Sequence, residues 1–341
     1  MTPTLELGAR FLAVAASSAL AAALLARLAP RIGWADAPVG VEAARKPQRR
    51  AVPTVGGAAL LVGLLAAPER GWDAAGLASL AASWPDPRWL ALALAGLLAV
   101  GTIDDRFRLA PLSKSVLSLA ACVPLAIGAA ERAPGVPAWA FGLALGACAA
   151  AHVLNTFDNA DGALAGLCAA GFLVPQPFVA AVCLGFLPLN LDAERARNRA
   201  SAAPTAYLGD AGAFVLGFLV IATPRAWGIL WLPLLDLARL AWLRTASGSR
   251  PWIGDRRHLA HRLRARGLGA PTVAALQALV ALPAALLVGR GIALGTAWQA
   301  LVGLALTAAG FALAVRWTVD PGAGEKPDAA SVPCPGGRSP E

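Results

Sequence analysis

The sequence predicts an all-α fold: a polytopic integral membrane bundle of about 10–11 transmembrane helices, N-terminus outside and C-terminus cytoplasmic. Three observations predict it. Of the 341 residues, 57% are hydrophobic. Only 14% are charged, against about 25% for an average soluble domain, which is too few to coat a soluble surface of this size. The mean hydropathy is +0.62, and the apolar residues fall in long blocks rather than in amphipathic stripes. An ordinary cytosolic enzyme, a disordered chain and a secreted disulfide scaffold are excluded.

A membrane helix needs about 20 mostly apolar residues. Such blocks lie near 8–28, 52–68, 88–103, 112–130, 137–155, 162–174, 177–191, 206–223, 225–243, 271–289 and 292–315. The sixth and seventh are short, with Pro175 and Pro177 between them. As a tight hairpin or as shallow spans they leave the sidedness of later segments unchanged. The first block has no small-residue cleavage site leading into a soluble domain, which argues against a cleaved signal peptide. Residues 1–317 therefore read as one transmembrane domain. Residues 318–341, rich in Pro, Gly and Ser, read as a disordered cytoplasmic tail.

Charge sets the orientation. The odd-numbered spans end in loops around 29–51, 104–111, 156–161, 192–205 and 244–270, and the chain ends on that same side. Of the 29 Lys and Arg residues, 22 lie there. The other seven are Arg10, Arg70, Arg88, Arg132, Arg225, Arg239 and Arg290, with Arg239 inside a helix. The positive-inside rule makes that side cytoplasmic. A net charge of +9 then fits cytoplasmic loops and anionic lipid, not nucleic acid. Four of the five cysteines, Cys122, Cys148, Cys168 and Cys183, lie inside apolar blocks as small hydrophobes, and Cys334 is in the tail. No cysteine spacing suggests zinc or a redox pair.

A carboxylate at mid-membrane costs roughly 2.5–3.5 kcal/mol even on the lenient insertion scale, so acids at span ends need a reason. Five groups stand out, all on the cytoplasmic side. Asp104 and Asp105 are adjacent and repel unless a cation or proton intervenes; otherwise they are a solvated helix end beside Arg106 and Arg108. Asn155, Asp158 and Asp161 follow at intervals of three, which on a helix puts them on one face; otherwise they cap a short turn. Gly209-Asp210-Ala211-Gly212 opens the eighth span, where glycine lets backbone N–H groups approach a phosphate, or Asp210 caps the helix.

The loop after the ninth span carries Asp255, Arg256, Arg257, His258, His261 and Arg262. A cationic phosphate clamp fits this run better than zinc, because no third ligand is near. His152, the remaining histidine, reads as a core or hydrogen-bonded residue. Last, Lys46, Arg49 and Arg50 run into Pro53, Gly56 and Gly57 at a span start, as an anionic-lipid contact or a substrate contact. Carboxylates suited to Mg²⁺ and bases suited to phosphate thus share one edge of an apolar bundle. That arrangement suits phosphoryl transfer from a water-soluble donor to a lipid acceptor, with a transporter as the alternative reading.

In order and sidedness these groups resemble the polyprenyl-phosphate N-acetylhexosamine-1-phosphate transferases, over roughly residues 30–270. The family's loop and Pro-x-x-Gly-Gly run resembles Lys46 with Pro53 to Gly57. Its Asp-Asp motif resembles Asp104 and Asp105, with a downstream base at Lys114. Its Asn-x-x-Asp-Gly-x-Asp-Gly motif is similar to Asn155, Asp158, Asp161 and Gly162. Its Gly-Asp-x-Gly is matched by Gly209, Asp210 and Gly212. Its histidine motif is similar to Asp255, Arg256, His258 and His261. The chain departs from the pattern at Gln48, Asn159, Ala163 and Ala260, positions that bear on sugar specificity.

The resemblance implies an enzyme of bacterial inner-membrane polysaccharide synthesis, an O-antigen or capsule initiator ahead of a peptidoglycan one. Its catalytic domain would be residues 1–317. The implied partners are a UDP-N-acetylhexosamine, undecaprenyl phosphate and membrane lipid, without nucleic acid; a homodimer is compatible with it. The implied cofactor is Mg²⁺, with Mn²⁺ as substitute. The implied roles are Asp161 and Asp210 at the metal; Asp104, Asp105, Asp158 and His258 in catalysis; and Lys46, Lys114, Asn155, Arg257 and His261 on substrate. An inactive member acting as a scaffold is a further alternative.

Overall fold

The computed structural model describes residues 3–36, 51–66, 86–133, 135–191, 204–248 and 257–318. Lys46, Asp255, Arg256 and Cys334 lie outside the described residues, as do Gln48, Arg49 and Arg50. Twelve α-helices occur among the described residues: α1 (Pro3–Leu28), α2 (Gly56–Leu65), α3 (Pro87–Phe107), α4 (Pro111–Arg132), α5 (Pro137–Phe157), α6 (Ala163–Phe172), α7 (Pro177–Asn190), α8 (Gly209–Ala222), α9 (Trp231–Ala246), α10 (Leu259–Ala265), α11 (Ala270–Leu294) and α12 (Ala297–Trp317). A 3-10 helix, Pro224–Leu230, leads into α9. The protein is a multi-pass, all-α membrane bundle.

Each of the eleven predicted blocks coincides with a helix, but their lengths differ from expectation. Six helical segments are long and apolar enough to cross a membrane: Leu5–Ile32, Pro111–Arg132, Pro137–Phe157, Pro224–Ala246, Ala270–Leu294 and Ala297–Trp317. Helices α2, α6, α7 and α8 have only 10, 10, 14 and 14 residues. At about 1.5 Å per residue they reach roughly 15–21 Å, short of a ~30 Å hydrocarbon core. They can be short because they are interior. Phe172, Phe178, Phe186, Phe214 and Phe218, all on α6, α7 and α8, are among the largest fully buried side chains.

Proline sets many of the starts. It stands in the first turn of α3, α4, α5, α7 and α11, where a missing N–H costs nothing. Inside α11, Pro283 disturbs the ladder. The next N–H, that of Ala284, donates instead to the buried Thr307 hydroxyl of α12 at 3.0 Å, the kind of repair an apolar solvent demands.

One small sheet appears that the sequence did not announce. Ala35–Asp36 pairs antiparallel with Val52–Pro53. Thr54 bridges Tyr207 in parallel, and Tyr207 N–H donates to the Pro53 carbonyl at 2.8 Å. The Pro-Thr-Val-Gly-Gly segment is thereby tied to the residues that open α8. The glycines of these motifs serve close helix contact. A Cβ on Gly101 would lie 2.4 Å from Ala211 Cα, and one on Gly57 2.6 Å from Ala211 Cβ. Helices α2, α3 and α8 therefore meet at the Asp210 turn with almost no side-chain spacer.

Candidate active site

The first acidic cluster is built where α3 ends, α4 begins and α8 begins. Arg108 terminates α3 in the left-handed region (φ 52°) and turns the chain. That turn brings Leu109 N–H to Asp104 Oδ1 at 2.7 Å. Pro111 then starts α4, and its first turn presents Lys114 to Asp104 Oδ2 at 2.9 Å. The same Lys114 ammonium pairs with Asp210 Oδ2 of α8. It also lies 5.3 Å from the ring centroid of Phe214, one turn after Asp210 on the same face. The Lys114 side chain is only 15% exposed, so water screens these contacts little.

Asp105 takes a different position. Its Oδ1 accepts from Asp210 N–H at 2.8 Å and its Oδ2 from Ala211 N–H at 3.2 Å. The free backbone donors of the α8 N-terminus, which the sequence offered to a phosphate, are therefore held by a carboxylate of the chain itself. Asp210 does not cap α8, which has no side-chain cap bond. It faces Lys114 instead. Gly209 has φ +73°, and a Cβ there would lie 2.6 Å from Asp105 Oδ2. Glycine is required at that residue by conformation and by space together. The arginines beside the pair turn away: Arg108 pairs with Asp36 at 3.1 Å, and Arg106 lies over Phe107.

The second cluster corrects an expectation. Asp158 and Asp161 do not share a helix face, because α5 ends at Phe157 and α6 begins at Ala163. Both sit on the connecting turn. Gly162 closes that turn in the left-handed region, and its N–H donates to Asn190 Oδ1 at 3.1 Å. Asn190 is 2% exposed and also donates to the Ala206 carbonyl at 3.1 Å. One buried amide thus fastens the Asp158–Asp161 turn to the segment that leads into Gly209 and Asp210. Sequence reasoning passed over Asn190; its signal was a lone Asn closing an otherwise apolar block.

Loss of surrounding water, then the charges of Asp161 and Asp105, push the Asp158 carboxyl up from 3.8 to about 8. The two acidic clusters are therefore electrostatically one. Asp161 is approached by Arg264 of α10 at 3.9 Å. Asn155 stands half-buried on the last turn of α5, where its carbonyl accepts from Asp158 N–H at 3.2 Å.

The histidine motif forms the third part. His258 is the residue before α10 and His261 lies one turn on, with ring centroids 6.4 Å apart. The two rings meet edge-on. The loop does not simply lie outside the bundle. Asp236, 1% exposed, stands on α9 ten residues before its end, roughly 15 Å at 1.5 Å per residue. His258 Nδ1 lies 3.0 Å from Asp236 Oδ2, and Leu259 N–H donates to both Asp236 oxygens at 3.2 Å. Arg239 donates to Asp236 and to the Arg257 carbonyl. Residues 257–259 are therefore folded back along α9.

His152 is half-buried on α5 with its ring edge-on to Phe214 at 5.2 Å. Its buried Nε2 has no hydrogen-bond partner among the described residues, so of the two readings the core one holds. An apolar cavity of about 490 Å³, with Trp139, Trp227 and Trp231 in its wall, opens along the opposite half of α5. It contains none of the charged groups described above.

Among the described residues, no group of three or more His, Cys, Asp and Glu side chains is arranged to enclose a metal ion. Mg²⁺ does not require one; it takes one or two carboxylates and fills its shell with phosphate oxygens and water. Asp161 and Asp210 supply such oxygens, and each already faces a cation, Arg264 and Lys114 respectively. The donor set fits.

No family model matches the chain. It is 26% identical over 246 residues to the undecaprenyl-phosphate alpha-N-acetylglucosaminyl 1-phosphate transferase of Escherichia coli, covering 60% of this chain and 64% of that relative. The enzyme of the same name from Shigella flexneri matches to the same extent. The chain spans a little less than two thirds of the length of these relatives. Over this stretch the chain is similar to transferases of that name, in line with the resemblance that its acidic and basic motifs carry.

Proposed function

We propose that the protein transfers an N-acetylhexosamine-1-phosphate, GlcNAc-like, from a UDP-sugar to undecaprenyl phosphate and releases UMP. The product is an undecaprenyl-diphosphate sugar, made at the cytoplasmic face of a bacterial inner membrane as an initiating step of envelope polysaccharide synthesis. One observation carries the reading: Lys114 bridges Asp104 and Asp210 at one end of an apolar bundle. This is a charged site where a lipid phosphate and a water-soluble diphosphate can meet. The names of the homologous transferases support it. A transporter would place its acids near the midplane, whereas these stand at helix ends and in turns.

An oxygen of the acceptor phosphate attacks the β-phosphorus of the donor. The new P–O bond forms as the bond from that phosphorus to the oxygen bridging to the α-phosphorus breaks, and that oxygen leaves on UMP. The acceptor needs little help from a base, since a phosphomonoester's second pKa is near ~6. Both oxygens of Asp105 hold backbone N–H groups at the start of α8, which favours a positioning role. Its part is to set the angle at which Asp210 enters the site. Lys114, Arg264 and the imidazoles of His258 and His261 line up as donors to diphosphate oxygens. Asp161 and Asp210 would hold Mg²⁺, which supplies positive charge against the diphosphate. The rest of the rate comes from positioning and fixed charge.

Purified protein given radiolabelled UDP-GlcNAc and undecaprenyl phosphate should release UMP and form a labelled lipid. Absence of both products across a panel of UDP-N-acetylhexosamines would overturn the assignment.

A further inference from the structure

The buried carboxylate of Asp236 is used by no step above, and neither motif nor spacing singled it out. It sits within an apolar segment, where an acid is expensive, and it is 1% exposed. Its surroundings are donors. Leu259 N–H reaches both oxygens at 3.2 Å, and the Arg239 guanidinium lies 3.4 Å from Oδ1. A carboxylate in that company accepts, so the nitrogen of His258 at 3.0 Å from Oδ2 must be the one that carries hydrogen. That fixes the ring: Nδ1–H is committed to Asp236 and Nε2 is left without a protein partner among the described residues.

One residue of α10 reaches the acidic turn. His261 follows at 6.4 Å between centroids, and Arg264, one further turn along, approaches Asp161. Arg262, one turn after His258, ties α10 to the end of α12. Arg262 donates from its Nε to the Thr318 hydroxyl at 3.0 Å and from a terminal nitrogen to the Thr318 carbonyl at 2.8 Å, at the end of α12.

We infer that Asp236 is a positioning residue of the transfer site, holding the Nδ1–H of His258 so that Nε2 faces the diphosphate and donates to it once that nitrogen takes up a proton. The inference rests on the reaction proposed above. The same carboxylate starts α10 by accepting from Leu259 N–H, so one buried acid sets both the entry of the helix and the face of the imidazole. An orienting partner of this kind is typically worth 10–100-fold when lost, because the ring that it held becomes free to take the wrong tautomer.

The test uses the full-length protein in detergent micelles with ¹⁵N-labelled histidine. Only three histidines occur, so His258→Ala assigns the spectrum by loss of one pair of signals. Measured well above the ordinary imidazole pKa of about 6.5, wild-type His258 should show hydrogen on Nδ1. Asp236→Asn keeps an oxygen for Leu259 N–H but offers an amide N–H to the ring, and should move the hydrogen to Nε2. It should also lower kcat/KM by roughly 10–100-fold with the melting temperature retained. Combined with His258→Ala, it should cost no more than His258→Ala alone.

An Nε2–H tautomer in the wild type, an unchanged tautomer in Asp236→Asn, or additive losses in the double variant would each overturn the inference. The spectrum is read without substrate. A wild-type protein that shows Nδ1–H but transfers no sugar phosphate would therefore refute the proposed reaction, and the positioning role with it, while leaving the Asp236–His258 bond established. Should Asp236→Asn melt early, Asp236→Glu decides: rescue of the Nδ1–H signal without rescue of kcat/KM also counts against the role.

Discussion

Asp105, at the end of α3, holds the backbone of Asp210, at the start of α8, through a hydrogen bond of 2.8 Å. Its second oxygen takes the next N–H, that of Ala211, at 3.2 Å. The carboxylate of one motif is thus the N-terminal anchor of the helix that carries another, and the negative charge also suits the positive end of that helix. Asp104, its neighbour in sequence, points instead to Lys114. The two adjacent acids serve different partners.

Asp105→Ala leaves two backbone donors unpaired in a part-buried site. It should destabilise the protein by about 1–3 kcal/mol, and Asp105→Asn, which keeps an acceptor, by less. Thermal unfolding in detergent measures both. Equal melting temperatures for wild type and Asp105→Ala would contradict the anchoring role.

Turnover should require Mg²⁺ or Mn²⁺. Asp210→Asn should nearly abolish it while the protein still inserts, because a neutral amide neither balances Lys114 nor compensates the diphosphate through a cation. Lys114→Met should also inactivate, since Asp104 and Asp210 then lose the cation between them, and its cost in stability should approach ~3 kcal/mol. Full activity in excess EDTA would dismiss the metal.

Burial and two neighbouring acids push Asp158 up to about 8. The folded protein holds this proton more tightly than the unfolded chain does. Its contribution to stability is therefore present at low pH and is lost as pH rises from about 4 through about 8. A cation bound at the turn would replace the proton, so Mg²⁺ should raise the melting temperature more at about pH 8.5 than at about pH 6.5. Asp158→Asn should remove that difference. The same Mg²⁺ shift at both pH values in the wild type would argue that no cation binds beside Asp158.

Orientation can be read with a single thiol. Cys122, Cys148, Cys168 and Cys183 are buried, so a membrane-impermeant thiol reagent reports on Cys334. The split of 22 basic residues to seven predicts no labelling in intact cells and labelling after lysis. Labelling before lysis would invert the topology.

The sequence by itself determined the fold class, the position of every apolar block and the acids that belong together. Each of these is written locally, as a run of apolar residues, a proline at a helix start or a charge where lipid forbids one. It named Asp104, Asp105, Lys114 and Asp210, and the folded chain brings those four within reach of one another. Contact across the fold was decided only by tertiary structure. Asp105 holds the start of α8, a contact that exists because α3 and α8 touch at Gly101 and Ala211. Asp158 and Asp161 do not share a helix face because α5 ends at Phe157 and Gly162 closes the turn, held there by Asn190. Asp236 acquired a partner 22 residues away because residues 257–259 lie against α9. A pairing between segments depends on how closely their backbones approach, and that distance is a property of packing that no single segment encodes.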